Sequence, residues 1–140
     1  MPSISFRGRK NEDNKKRMHM DIKVKLSTLW IVVMLNIAFA DIFSFMLEFS
    51  TGHTPEFQAT QALMLIAAIV LEIPIAMIFL SRLLKYGANR RANIIAGGIT
   101  ITFVIGGGST YPHYIFFAII EVICMSFIIW WAWKWPEKEV

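Results

Sequence analysis

Three carboxylic acids interrupt apolar runs of this 140-residue sequence: Asp41, Glu72 and Glu121. No Lys or Arg lies within any of those runs, so none of the three has a cation beside it in its own segment. An ionised carboxyl at mid-membrane costs roughly 2.5–3.5 kcal/mol on insertion scales, and such groups face a protein interior or a water-filled cavity. Two chemistries fit. The acids can form a site for a proton, a cation or a small ligand, or they can be protonated and hydrogen-bond across helices. Interhelical bonds average only about 0.6 kcal/mol in membranes, which makes stability a weak reason for three acids.

Depth favours a shared site. Counting about 1.5 Å per helical residue from cytoplasmic ends near 28, 82 and 133, Asp41 lies roughly 20 Å in, Glu72 roughly 15 Å and Glu121 roughly 18 Å. On the second helix Gln58, Gln61, Leu65, Ala68 and Glu72 follow helical spacing and make one polar-edged stripe; Ser44 shares a face with Asp41 on the first helix, and Tyr114 with Glu121 on the fourth. Pro74 removes a donor and frees the Val70 carbonyl beside Glu72. Thr100 and Thr102 bring hydroxyls to a similar depth. The expected site is therefore a midplane acidic pocket of Asp41, Glu72 and Glu121, supported by Gln61, Thr100 and Thr102.

Other reactive types give less. His53 and His113 fall in the two external connections and are weak metal candidates, since they lack fixed helical spacing. Cys124 is a lone thiol, which excludes an intramolecular disulfide or a Cys-based metal pair and reads as a packing residue. Gly106-Gly107-Gly108 lacks the Lys-Ser/Thr ending of a phosphate loop and reads as a helix end and turn. No nucleophile–base pair, Rossmann signature or haem signature is present, and no cofactor is legible.

The elements that must hold these residues are four helices, about 28–49, 55–86, 90–107 and 112–135. The fold class is an all-α transmembrane four-helix bundle over 26–135, with a basic cytoplasmic tail at 1–25 and a short cytoplasmic tail at 136–140. The third segment is short and needs its flanks to cross. Thr54-Pro55-Glu56 reads as the start of the second helix, Gly87 as its end cap and Asn89 as the cap of the third. Pro112 opens the fourth helix and Pro136 follows its end. On the third helix Gly98, Thr102 and Gly106 form one small-residue row and Ala92, Ala96 and Thr100 another, both suited to close helix approach.

Charge sets the orientation. Of fourteen Lys and Arg, eight lie in 7–25, four in 82–91 and two in 134–138. By the positive-inside rule both termini and the 81–91 connection are cytoplasmic, which places the chain in the plasma (inner) membrane as a multi-pass protein. Trp30, Tyr86, Trp130, Trp131, Trp133 and Trp135 read as the cytoplasmic aromatic belt, and Tyr111 and Tyr114 as the external one. A signal peptide ending at Ala38-Phe39-Ala40 is disfavoured because the apolar run continues through Leu47. With 56% apolar and 17% charged residues, the composition is that of a membrane domain. Basic residues confined to ends and one connection also argue against nucleic acid as partner, leaving the bilayer, a small hydrophobic or cationic ligand, and homo- or hetero-oligomers.

At Leu71-Glu72-Ile73-Pro74-Ile75-Ala76-Met77, Leu80-Ser81-Arg82, Ala88-Asn89-Arg90 and Ala92-Asn93-Ile94-Ile95-Ala96-Gly97, the sequence resembles a family of small prokaryotic four-helix integral membrane proteins of unknown function. Ser27-Thr28-Leu29-Trp30, Ala40-Asp41 and Pro112-His113-Tyr114 with Glu121 extend the resemblance over about residues 25–135. Its general plan is similar to DoxX-like proteins, some of which accompany quinone-linked redox enzymes. The resemblance implies the topology and leaves three functions open. They are binding or movement of a small ligand, cation or protons, an accessory subunit of a membrane complex, and a membrane enzyme acting on a quinone or lipid.

Overall fold

The computed structural model describes residues 2–52 and 60–136, with side chains from Phe6 onward. Four helices account for nearly all of it: α1 (Pro2–Thr51), α2 (Gln61–Leu83), α3 (Tyr86–Gly106) and α4 (Pro112–Lys134). No strand occurs among the described residues. The helices pack neighbour to neighbour, with α1 against α2 and α4, and α3 against α2 and α4. Three of them, α1, α2 and α4, are long and apolar enough to cross a membrane. Their outer surface is apolar: Leu35, Phe45, Leu65, Phe79, Ile119 and Ile123 are all exposed, a pattern that suits a lipid environment.

The first helix differs from expectation. The basic segment 7–25 is not a separate tail but the start of a continuous α1 of 50 residues, about 75 Å long. The segment has no Gly or Pro between Gly8 and Gly52 to stop it, and Lys, Arg, Met and Glu are good helix formers. Its inner end is held by His19, which accepts a hydrogen bond from Trp135 Nε1 at 2.8 Å and stands edge-on to Tyr86.

The α2–α3 corner is tighter than the sequence suggested. Thr60 caps α2, its hydroxyl accepting from Leu63 N at 3.3 Å, while Thr54, Pro55 and Glu56 lie outside the described residues. At its other end α2 stops at Leu83, and α3 already begins at Tyr86 with Lys85 as its cap. Gly87 therefore sits in the first turn of α3 and Asn89 within the helix, not at its cap. Asn89 still ends a helix, but the preceding one. Its side-chain amide donates to Ser81 O at 2.7 Å and to Leu84 O at 3.3 Å, serving carbonyls that the end of α2 leaves open.

The same amide begins a buried polar chain. Asn93 Nδ2 donates to Asn89 Oδ1 at 2.6 Å, and Asn93 Oδ1 accepts from Trp30 Nε1 at 2.7 Å and from Ser81 Oγ at 3.3 Å. Trp30, Ser81, Asn89 and Asn93 are each 0% exposed. Trp30 is thus a core residue and not part of the interfacial belt, because its indole N–H finds an acceptor inside. Beside it, Ser27 donates to the Ile78 carbonyl at 2.8 Å and accepts from Arg82 Nε at 3.1 Å. Leu26, Val33 and Ile37 of α1, Met77 of α2, Ala96 and Val104 of α3, and Met125 and Ile128 of α4 complete the core.

Of the two small-residue rows on α3, only one packs. Ala96, Gly97 and Thr100 are buried, and a Cβ on Gly97 would stand 2.9 Å from Ile129 Cγ1 of α4. Gly98 and Gly106 face open space, as does exposed Thr102, so that row turns outward. Polar Asn89, Asn93 and Thr100 must point inward, and this fixes the rotation of α3.

Two predictions follow from this packing. Trp30→Phe and Asn93→Ala are each expected to cost about 1–3 kcal/mol, because each leaves a buried partner unsatisfied. Their double variant should be less destabilised than the sum, as read by unfolding in detergent micelles; strict additivity would contradict a direct bond. Gly97→Val is expected to cost more than Gly97→Ala, with Gly97→Ala at about 1–3 kcal/mol, since overpacking drives α3 from α4.

Candidate functional site

The seam between α1 and α4 carries the remaining in-span chemistry. The two helices run antiparallel, as a ladder of contacts along them shows. His19 meets Trp135 at one end, Lys25 Nζ lies 5.4 Å from the Trp131 ring centre, and Phe43 stacks on Phe117 at 5.9 Å. At the far end Ser44 Oγ and His113 Nε2 are 3.0 Å apart, and the imidazole stacks on Tyr111 at 5.6 Å. In this register Glu121 lies about one helical turn from Asp41 along the seam, on the side of the buried core.

Glu121 is 3% exposed, and Asp41 on the neighbouring helix interacts with it electrostatically. No hydrogen bond or ion pair among the described residues reaches the Glu121 carboxyl. Tyr114, nearly two turns before Glu121 on α4, donates its hydroxyl proton to the Val104 carbonyl at 3.1 Å. Two ionised carboxyls on one low-dielectric seam repel, and a proton on one of them or a bound cation relieves the repulsion. Ser44, His113 and Tyr114 are the hydrogen-bonding side chains between these acids and the start of α4.

The expected site residues divide accordingly. Asp41 and Glu121 lie on the same α1–α4 seam, Asp41 exposed and Glu121 buried. Glu72 does not join them. It is exposed on the outer face of α2, and Gln61 is exposed on the same stripe, while Gln58 lies outside the described residues. The stripe is real, but the buried side of α2 is formed by Pro74, Met77 and Ser81, which leaves Glu72 pointing away. Thr100 is buried and donates to the Ala96 carbonyl at 2.8 Å, while exposed Thr102 donates to the Gly98 carbonyl at 2.9 Å. Both hydroxyls are therefore occupied by their own helix.

Of the histidines, His53 lies outside the described residues, and His113 is paired with Ser44. Among the described residues no three His, Cys, Asp or Glu gather in a way that could hold a metal ion. Helical spacing alone puts Ser44 on the face of Asp41 and Tyr114 on the face of Glu121. The i, i+3 step from Asp41 to Ser44 was the signal available for the first, but the pairing with α4 requires the register.

A separate apolar groove of about 370 Å³ opens between the end of α3 and the first half of α4. Val104, Ile105, Ala118, Ile119 and Val122 line it, and Ser109 and Tyr114 give it a polar rim. None of the acids lines it. Tyr114 alone belongs to both the seam and the groove.

These features define the class as an all-α protein of four helices, three of them fit to span a membrane. A family model described as a family of unknown function (DUF6326) matches residues 13–140, and the chain belongs to that family. Searches of curated proteins and of solved structures return no match. The DoxX-like plan and the prokaryotic origin inferred from the sequence find no support in these comparisons.

Cys124, one turn after Glu121, is buried at the same seam. It is expected to resist N-ethylmaleimide in the folded protein and to react fully once the chain is denatured, because burial denies the reagent access. Labelling of the folded protein at the denatured rate would contradict the closed seam.

Proposed function

We propose that this is an integral membrane protein in which all four helices cross the bilayer, both termini are cytoplasmic, and the α1–α4 seam binds or moves protons or a small cation. The topology rests on the fourteen basic residues, all in segments assigned to one side. The low hydropathy of α3 is no obstacle, because Asn89, Asn93 and Thr100 are buried against the other helices and Ile95, Ile99 and Ile105 face outward. The plasma membrane is the membrane this charge pattern suits.

The observation that carries the site reading is Glu121, buried at the α1–α4 seam with Asp41 on the adjoining helix and no cation beside it. A structural carboxyl would be expected to donate to a carbonyl or hydroxyl, as Thr100 and Tyr114 do. The groove beside Tyr114 favours a second reading, in which the protein holds a small hydrophobic molecule such as a lipid or quinone.

Proteoliposomes with imposed proton and sodium gradients test the seam. Flux or equilibrium cation binding by the wild type is expected to be lost in Glu121→Gln and reduced in Asp41→Asn, with folding unchanged. Glu72→Gln is expected to keep wild-type activity in the same assay, because it lies outside the seam. Full activity in Glu121→Gln would refute the assignment.

A further inference from the structure

Three cations stand over indole rings at one end of the bundle. Lys25 Nζ lies 5.4 Å from the Trp131 ring centre, the Arg90 guanidinium 5.6 Å from that of Trp133, and Lys134 Nζ 4.7 Å from that of Trp130. They are not equivalent. Arg90 also donates to the Trp133 carbonyl at 3.1 Å. Lys25 and Lys134 give no hydrogen bond and meet no carboxylate among the described residues, although Asp21 stands one turn before Lys25. An indole face holds an ammonium through its quadrupole and leaves the N–H donors open to an anion. Phe127, Trp130, Trp131 and Lys134 recur at i, i+3, i+4 and i+7, one face of α4. The Phe127 ring lies 6.3 Å from Trp130 and 5.9 Å from Trp131. Lys25 joins this face from α1, and one turn deeper on α4 it continues as exposed, apolar Ile123.

We propose that this face binds an anionic phospholipid, taking its phosphate at Lys25 and Lys134 and an acyl chain along Phe127 and Ile123. Charge complementarity selects the headgroup: two ammoniums with open donors and no carboxylate partner attract an anion. A zwitterionic headgroup brings an ammonium of its own, which the two lysines repel. The apolar strip selects a lipid over a soluble phosphate, because cations and strip follow each other along α4 as head and tail do in an amphiphile. The position agrees. Lys25 and Lys134 flank the apolar runs of α1 and α4, two of the helices long and apolar enough to cross a membrane, and such ends lie at headgroup level. The inference rests on α1 and α4 lying in a bilayer. It is independent of which side is cytoplasmic and of the Glu121 seam.

Reconstitution of the full chain in vesicles of brominated phosphatidylcholine tests this, as plain phosphatidylglycerol is added and relief of tryptophan quenching reads its binding. Wild type is expected to prefer phosphatidylglycerol, and Lys25→Gln and Lys134→Gln each to lower that preference about fivefold. Lys25→Arg and Lys134→Arg are expected to retain it, which separates loss of charge from loss of packing. Lys10→Gln, about 22 Å further out along α1, is expected to leave it unchanged. No preference in wild type, or one that survives both Gln substitutions together, would overturn the site. An equal loss in Lys10→Gln would overturn it too, by reducing the effect to diffuse attraction. A preference abolished by inorganic phosphate at matched ionic strength would assign the lysines to a soluble anion instead. Quenching by brominated phosphatidylcholine alone reads insertion: its absence would overturn the membrane reading itself, and quenching without a lipid preference would overturn the lipid site alone.

Discussion

The bond from Trp30 Nε1 to Asn93 Oδ1, 2.7 Å long and wholly buried, is the contact on which the other helix positions depend. It crosses from α1 to α3, helices that otherwise meet chiefly through their shared neighbours. Asn93 is held in turn by Asn89, and Asn89 closes the end of α2 through the Ser81 carbonyl. Three helices are tied at one end by one chain of side-chain amides. Each donor and acceptor has a partner, which is the condition under which a buried polar network specifies an arrangement instead of weakening it. Once α3 is rotated to satisfy it, Gly97 comes to rest against Ile129 and fixes the approach of α4.

The same requirement sorts the three acids. Each lies in an apolar run, yet the packing gives each a different surrounding. Glu121 is enclosed between helices, Asp41 sits at the edge of the same seam, and Glu72 is turned outward. The amide network leaves no choice on α2, because Ser81 must face Asn93 while Pro74 and Met77 pack inward with it. A polar group inside a bilayer can be satisfied by its own helix, by a neighbouring helix or by a bound species. Thr100 takes the first course and Asn93 the second. Glu121, buried with no hydrogen-bond partner among the described residues, takes neither of these two.

Much of the architecture is legible in the sequence, because hydropathy, Pro112, Pro136 and the glycines near 107 are local signals. Length and composition suffice for the helices. The faces are not legible in the same way. Counting depth along each helix brings three carboxyls to one level but says nothing of rotation, and rotation separates Glu72 from Glu121. Asn89 looks like a cap because Asn favours caps, and it is one, but for the helix before it. Trp30 resembles an interfacial anchor until a buried acceptor on α3 is known. The i, i+4 spacing of Asn89 and Asn93 was the available sign of a polar inner face on α3; Ser44 meeting His113 had none, since it depends on the α1–α4 register.

A seam that binds or moves protons or cations must change its occupancy at Glu121 and Asp41. Infrared difference spectroscopy of the reconstituted protein reads this at the bonds concerned, by comparing the carboxylic C=O region before and after a pH or sodium step. A protonated-carboxyl band that responds to the step in wild type and is missing from Glu121→Gln is the result this account predicts. A carboxyl region that stays unchanged through both steps, or a response that survives in Glu121→Gln, would contradict it.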